Sequence, residues 1–278
     1  MSGITESIEA PSGKGRNAEN FPVGSVLIAR RLRPHIHAFY NFARNADDIA
    51  DSVTLTSAEK VARLGTMEDV LIGRRDVGSP TALALRASLE VTKVTPDHAR
   101  DLLHAFRHDA LENRTPNWRA LMEYCRYSAM PVGRYVLDLH GEPADTWPHS
   151  DALCSALQIL NHLQDCAQDL AALDRCYLPT DMLAGAGASV ADLRGAAETP
   201  ALRMVFNTLL KRCDELNRAA AALPRETRSR RLRVEVAVIV GLAKRLTVRL
   251  KRNDPIAGRV KLGKMDVGLS ILSALTWV

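Results

Sequence analysis

The sequence predicts an all-α protein, and three observations carry that prediction. Apolar residues recur at three- and four-residue spacing along almost the whole chain, the period of a helix with one buried face. Alternating β-branched runs are absent apart from VEVAVIV at 234–240, which sits in a long Arg-, Leu- and Ala-rich stretch without proline; Gly241 is the one residue there able to break a helix, and the longer helical pattern outvotes the short strand signal. Starting and stopping residues fall where the periodic segments begin and end: Pro34 suits a first turn, Ser57 and Thr95-Pro96 suit starts, and Gly141-Glu142-Pro143 suits a stop.

In order, the expected helices are 23–31, 34–52, 57–73, 80–93, 97–111, 117–140, 149–171, 199–222, 225–251 and 264–276. The longest irregular stretch, TDMLAGAGASVADLRGAAETP at 180–200, is rich in small residues and suits either a mobile cover or a plain surface connection. No change of composition resembles an interdomain linker, so residues 20–278 are expected to form one domain behind a polar, flexible leader at 1–19.

Composition excludes several classes. At 46% hydrophobic and 25% charged, the chain can bury a large core and is neither disordered nor fibrous. Its five cysteines are odd in number and form no CxxC, which fits reduced thiols in a cytoplasmic protein. No apolar run approaches the roughly 18 residues of a bilayer span. The apolar tail from Val267 to Val278 is too short to cross; it suits packing on the core or touching a membrane surface.

Net charge is +5, and it is uneven: residues 225–252 hold ten Arg or Lys against Glu226 and Glu235. That stretch reads as the solvated face of a long helix, or as an attractor of anionic substrates or of the anionic inner face of a membrane, leaving peripheral membrane contact open. Nucleic acid is not expected, because no Trp, Tyr or Phe lies inside 225–252 to stack on bases. The glycine pairs at 13–18 and 185–190 lack a preceding strand and a third glycine, so no nicotinamide cofactor is expected either.

Two acidic helices carry the chemistry. In FYNFARNADDIAD at 39–51, Tyr40, Arg44, Asp47, Asp48 and Asp51 fall within about a 100° arc, with Phe39, Phe42, Ala46 and Ile49 on the other side. Asp47 and Asp51 are like charges one turn apart, a cost of roughly 0.2–0.5 kcal/mol that a divalent cation would offset. In QILNHLQDCAQD at 158–169, Gln158, Asn161, Asp165 and Asp169 fall within about an 80° arc above an apolar back. One such face is usually just solvated. Two suit a facing pair of hard-oxygen ligand sets for Mg²⁺, which completes its shell with water and substrate phosphates, while Arg44 and Arg175 take the phosphates.

The motifs Tyr40-x-x-x-Arg44-x-x-Asp47-Asp48-x-x-Asp51 and Gln158-x-x-Asn161-x-x-x-Asp165-x-x-x-Asp169, followed by Arg175-x-Tyr177-Leu178-Pro179, resemble those of the squalene and phytoene synthase family from about Asn20 to Lys264. The resemblance implies an all-α isoprenoid synthase fold with a central cavity and the acidic motifs on opposite walls near its mouth. It implies a prenyl diphosphate substrate and Mg²⁺ held by Asp47, Asp48, Asp51, Asn161, Asp165 and Asp169. Arg44, Gln158, Asn161, Arg175, Tyr177, Arg259 and Lys261 would bind substrate, and Tyr40, Arg44, Tyr127 and Asp165 would act in catalysis; Arg259, Lys261 and Lys264 read equally well as solvated surface. The segments ENFPVGS at 19–25, YCRYSAMPVGRYVL at 124–137 and LNHLQDCAQD look most like the bacterial hydroxysqualene synthase branch, in which presqualene diphosphate ionises, rearranges and captures water. A sister branch condenses two prenyl diphosphates head to head. A reading of another class is a non-catalytic helical module that binds anionic partners through 225–252.

Several residues are read both ways or set aside. Phe39 points with the apolar side and reads as core. Ser128, Ala129 and Gly133 near Tyr127 leave room for a bulky chain or serve close helix packing. Two departures from the family stand out: Asn17-Ala18-Glu19-Asn20 replaces a His or Ser cluster, and Met130 stands where a small polar residue is expected. The pair His35-x-His37 and His98, His104 and His108 read as surface or packing histidines, and His162 lies at the edge of the acidic face.

Overall fold

The computed structural model describes residues 7–9 and 28–277. The described helices are α1 (Arg33–Ala50), α2 (Ser57–Leu71), α3 (Pro80–Thr92), α4 (Asp97–Leu111), α5 (Trp118–Ser128), α6 (Met130–Leu139), α7 (Trp147–Leu173), α8 (Thr180–Gly185), α9 (Pro200–Ala220), α10 (Leu223–Glu226), α11 (Arg230–Arg252) and α12 (Lys264–Ala274). Among the described residues no strand forms; an isolated bridge joins Arg114 and Cys176. The all-α expectation is met. Prolines open α1, α3, α7 and α9, where a missing N–H costs nothing, and Thr56 with Glu59 builds a capping box in front of α2.

The chain divides into two compact units: the described part of Met1–Glu112 with Arg134–Gly141, and Asn113–Gly133 with Glu142–Val278. In the first, α1 packs on α3 and α4, and α2 packs on the same pair. Its core includes Phe42, Leu64, Met67, Leu85 and Leu103, each fully buried and worth about 1.5–3 kcal/mol. Phe39 belongs to this core, stacked on Tyr135 with centroids 3.9 Å apart, and the Tyr135 hydroxyl donates to the His35 carbonyl at 3.0 Å. In the second unit, α7 packs on α5, α9 and α11, and α11 carries α12. The buried carboxylate of Glu142 accepts from the backbone N–H groups of Arg228 and Ser229, both at 2.7 Å, and so caps α11 from a distant part of the chain.

Four local expectations change. The helix expected over 117–140 breaks at Ala129 (φ −124°, ψ −48°), because Pro131 has no N–H to give and its ring crowds the preceding turn. The helix expected from 225 starts at Arg230, after the separate turn of α10; it runs through Gly241 as expected, and α12 approaches there so closely that an added Cβ would lie 3.1 Å from Ser270 Oγ. The stretch 180–200 contains α8 and a 3-10 turn at Val190–Arg194, anchored by buried Leu183 and Leu193. Inside the expected leader, Ile8 N–H donates to the Gly78 carbonyl, and the Glu9 carboxylate accepts from Ser79 Oγ and Thr81 N–H at the start of α3. The rest of that leader, most of the expected helix 23–31 and the ENFPVGS segment lie outside the described residues; residues 28–31 are bend and turn.

Candidate active site

In the first unit, α1 presents Tyr40, Arg44, Asp47, Asp48 and Asp51, all half-buried, while Phe42, Ala46 and Ile49 on its back are in the core. Arg44 bridges two of the carboxylates: Nη1 lies 3.1 Å from Asp47 Oδ2, and Nη2 donates to Asp48 Oδ1 at 2.8 Å. Even so, the Asp47 carboxyl is pushed up to about 7, chiefly by burial and then by the charge of Asp51, with Asp48 and Asp109 adding to it against the pull of Arg44. Asp109, buried on α4, is a contributor that the sequence pattern does not single out. This concentration of hard, mutually repelling oxygens fits a divalent cation, which would relieve the repulsion.

In the second unit, α7 presents Gln158, Asn161, Asp165 and Asp169, again half-buried above a buried back of Ile159, Leu160, Leu163 and Leu170. Arg259 closes on Asp165 as a fork, Nη2 to Oδ2 at 2.8 Å and Nε 2.6 Å from Oδ1. Burial raises the Asp165 carboxyl, while Arg259 and Lys261 pull it back. The segment carrying both cations is pinned to the same helix, because the buried Gln164 amide donates to the Val260 carbonyl. Arg259 and Lys261, expected as substrate-binding residues, are thus gathered around Asp165.

The turn after α7 positions Arg175 and Tyr177. Asp174 adopts a left-handed conformation (φ 51°) that sends the chain back, so Arg175 N–H donates to the Asp169 carbonyl at 3.3 Å. Residues 113–116 then brace 176–181 through backbone bonds that include Cys176 N–H to the Asn113 carbonyl at 2.9 Å. Buried Arg175 donates through Nη1 to the Tyr177 hydroxyl at 3.2 Å. The Tyr177 ring stacks on His162 with centroids 3.8 Å apart, and Tyr124 lies 5.0 Å from it. Burial and then the Arg175 charge push His162 down to about 3, so it is a neutral ring in an aromatic cluster. The edge position read for His162 is therefore a stacking position. Tyr124 was missed, although it stands one turn before Tyr127 in the same segment.

Tyr127 is half-buried at the end of α5, with the Arg126 guanidinium 5.4 Å from its ring centre. Gly133 serves close packing: an added Cβ would lie 2.6 Å from Cys154 Sγ on α7 and collide with Ser150 Oγ. The histidines set aside include packing partners, His35 with Ser88 and His98 with Asp138, each at 2.8 Å. All five cysteines are free thiols. Among the described residues, no group of three or more His, Cys, Asp or Glu forms a ready-made metal cage. Mg²⁺ does not require one, since it commonly takes one or two carboxylates together with substrate phosphates.

Among solved structures the chain has the fold of the all-α isoprenoid synthases. It matches squalene synthase HpnC from Alicyclobacillus acidocaldarius with a TM-score of 0.74 and 30% identity, over 85% of this chain and 90% of that one. Residues 15–266 match the squalene/phytoene synthase family, and the chain belongs to it. A hydroxysqualene synthase from Rhodopseudomonas palustris is 44% identical over 98% of this chain and 93% of its own length. A presqualene diphosphate synthase from the same organism is 31% identical over 69% of this chain and 70% of its own.

Proposed function

We propose that this chain converts presqualene diphosphate to hydroxysqualene in the cytoplasm, a step of squalene and hopanoid formation. The observation that carries the reading is the contrast within one organism: the chain is nearer to the hydroxysqualene synthase than to the presqualene diphosphate synthase, in both identity and coverage. In the reaction the cyclopropylcarbinyl C–O bond breaks with its electron pair leaving on diphosphate, the resulting cyclopropylcarbinyl cation rearranges, and water adds with loss of a proton. No electrons enter or leave, so the step needs no nicotinamide cofactor; by bond type it is a carbon–oxygen lyase.

The residue roles follow from charge and chemistry. Asp47, Asp48 and Asp51, with Asn161, Asp165 and Asp169, supply oxygens for Mg²⁺. Bound there, the metal would stabilise charge on the departing diphosphate. Arg44, Arg175, Arg259 and Lys261 neutralise the same group, and Arg259 does so by exchanging the Asp165 carboxylate for phosphate oxygens. Gln158 and Asn161 orient the substrate by hydrogen bonds. Tyr40, Tyr127 and Tyr177 offer π faces to the cation in a water-poor site.

The test is product analysis by mass spectrometry after incubating the pure protein and Mg²⁺, without NADPH, with presqualene diphosphate and separately with farnesyl diphosphate. Hydroxysqualene from the first substrate is expected. Diphosphate release from farnesyl diphosphate alone would move the chain to the head-to-head condensing branch.

A further inference from the structure

We infer that the surface formed by α11 and α12 is a docking site for an anionic phospholipid bilayer. The first observation is a cavity of about 590 Å³ between these helices, walled by Lys244, Arg245, Arg249 and Arg252 from one side and Ser270 and Ser273 from the other. Arg245, Arg249 and Arg252 follow i, i+4, i+7 spacing on α11, and Lys244 lines the same cavity beside them. Their one acidic companion, Asp266, is engaged twice, accepting from Arg249 Nε at 2.6 Å and from Gly263 N–H at 2.8 Å. The wall is therefore cationic in excess, and the exposed Ser273 hydroxyl can donate to phosphate oxygens, whereas that of buried Ser270 is given to the Asp266 carbonyl at 2.8 Å.

The second observation is apolar. Ser270 and Ala274 seat α12 on α11, while Met265, Leu269, Leu272 and Leu275 remain 74, 43, 63 and 55% exposed. Met265, Leu269 and Leu272 follow the i, i+4, i+7 rule and make one stripe, and Leu269 stands one turn before Ser273, beside the cavity. Val248, 44% exposed, adds an apolar contact inside the basic wall.

A cationic cavity bordered by an outward apolar stripe matches a lipid interface in both parts, headgroup phosphate for the cations and acyl chain for the stripe. A soluble anion would leave the stripe uncovered, and a second copy would bring the same positive charge against itself. Among the described residues no helix is long and apolar enough to span, so the contact is peripheral.

The experiment is sedimentation of the full chain with phosphatidylcholine vesicles with and without phosphatidylglycerol, at low and high salt, alongside Lys244→Gln/Arg252→Gln and Met265→Ser/Leu272→Ser. Circular dichroism and thermal melts confirm that each variant is folded. Binding to anionic vesicles only, weakened by salt, is expected. The charge variant should lose about 25-fold, at about fivefold per cation, and the stripe variant should lose binding even at low salt. Equal binding to both vesicle types, no binding to either, self-association through α12 in place of binding, or undiminished binding by either folded variant would overturn the inference.

Discussion

Replacing Asp47 by asparagine tests the electrostatics of α1 directly. The Asp47 carboxyl is raised from 3.8 to about 7, mainly by burial and by the Asp51 charge. The folded protein therefore holds a proton that the unfolded chain has already lost, and metal-free stability falls as pH rises from about 4 to about 7. Converted in full at about 1.4 kcal/mol per pH unit, the shift would correspond to roughly 4 kcal/mol. The side chain is 35% exposed, however, so water screens the repulsion and about 1–2 kcal/mol is expected. The amide introduced by Asp47→Asn cannot ionise, and Arg44 keeps its bond to Asp48. In EDTA, urea denaturation should show Asp47→Asn more stable than the parent by about 1–2 kcal/mol at pH 8, with the difference vanishing near pH 4. Added Mg²⁺ should stabilise the parent at pH 8 more than the variant. A variant equally or less stable at pH 8 in EDTA would refute the reasoning.

Three further outcomes are expected. Gly133→Ala drives a methyl into Cys154 and Ser150 and should cost about 1–3 kcal/mol in urea unfolding, despite a helix-propensity gain of about 1 kcal/mol. Glu142→Ala removes the acceptor of two backbone N–H groups at the start of α11 and should cost about 3 kcal/mol, read by the same assay. Arg259→Gln should lower kcat/KM for presqualene diphosphate about 10²-fold while the melting temperature stays within a few degrees, because the pair it breaks is part-exposed.

Most of the fold was legible because its determinants are local. The apolar period located the long helices, and VEVAVIV is helical as read, with Val236, Ala237 and Val240 buried on one side of α11. The acidic faces were legible for the same reason: spacing of three and four residues places Asp47 with Asp51 and Asp165 with Asp169. What stayed hidden is non-local. Nothing near Glu142 says that it caps a helix starting at Arg230, and no period pairs Arg259 with Asp165, or His162 with Tyr177. The break at Ala129 has a local signal, Pro131, within an apolar period that is otherwise continuous across it.

The central claim is that the carboxylates of α1 and α7 serve one diphosphate-releasing reaction. Its most direct test is the rate of diphosphate release from presqualene diphosphate at saturating Mg²⁺, measured for the parent, Asp47→Ala and Asp165→Ala, each verified as folded. Both variants should lose at least about 10²-fold; parental rates in either folded variant would contradict the account.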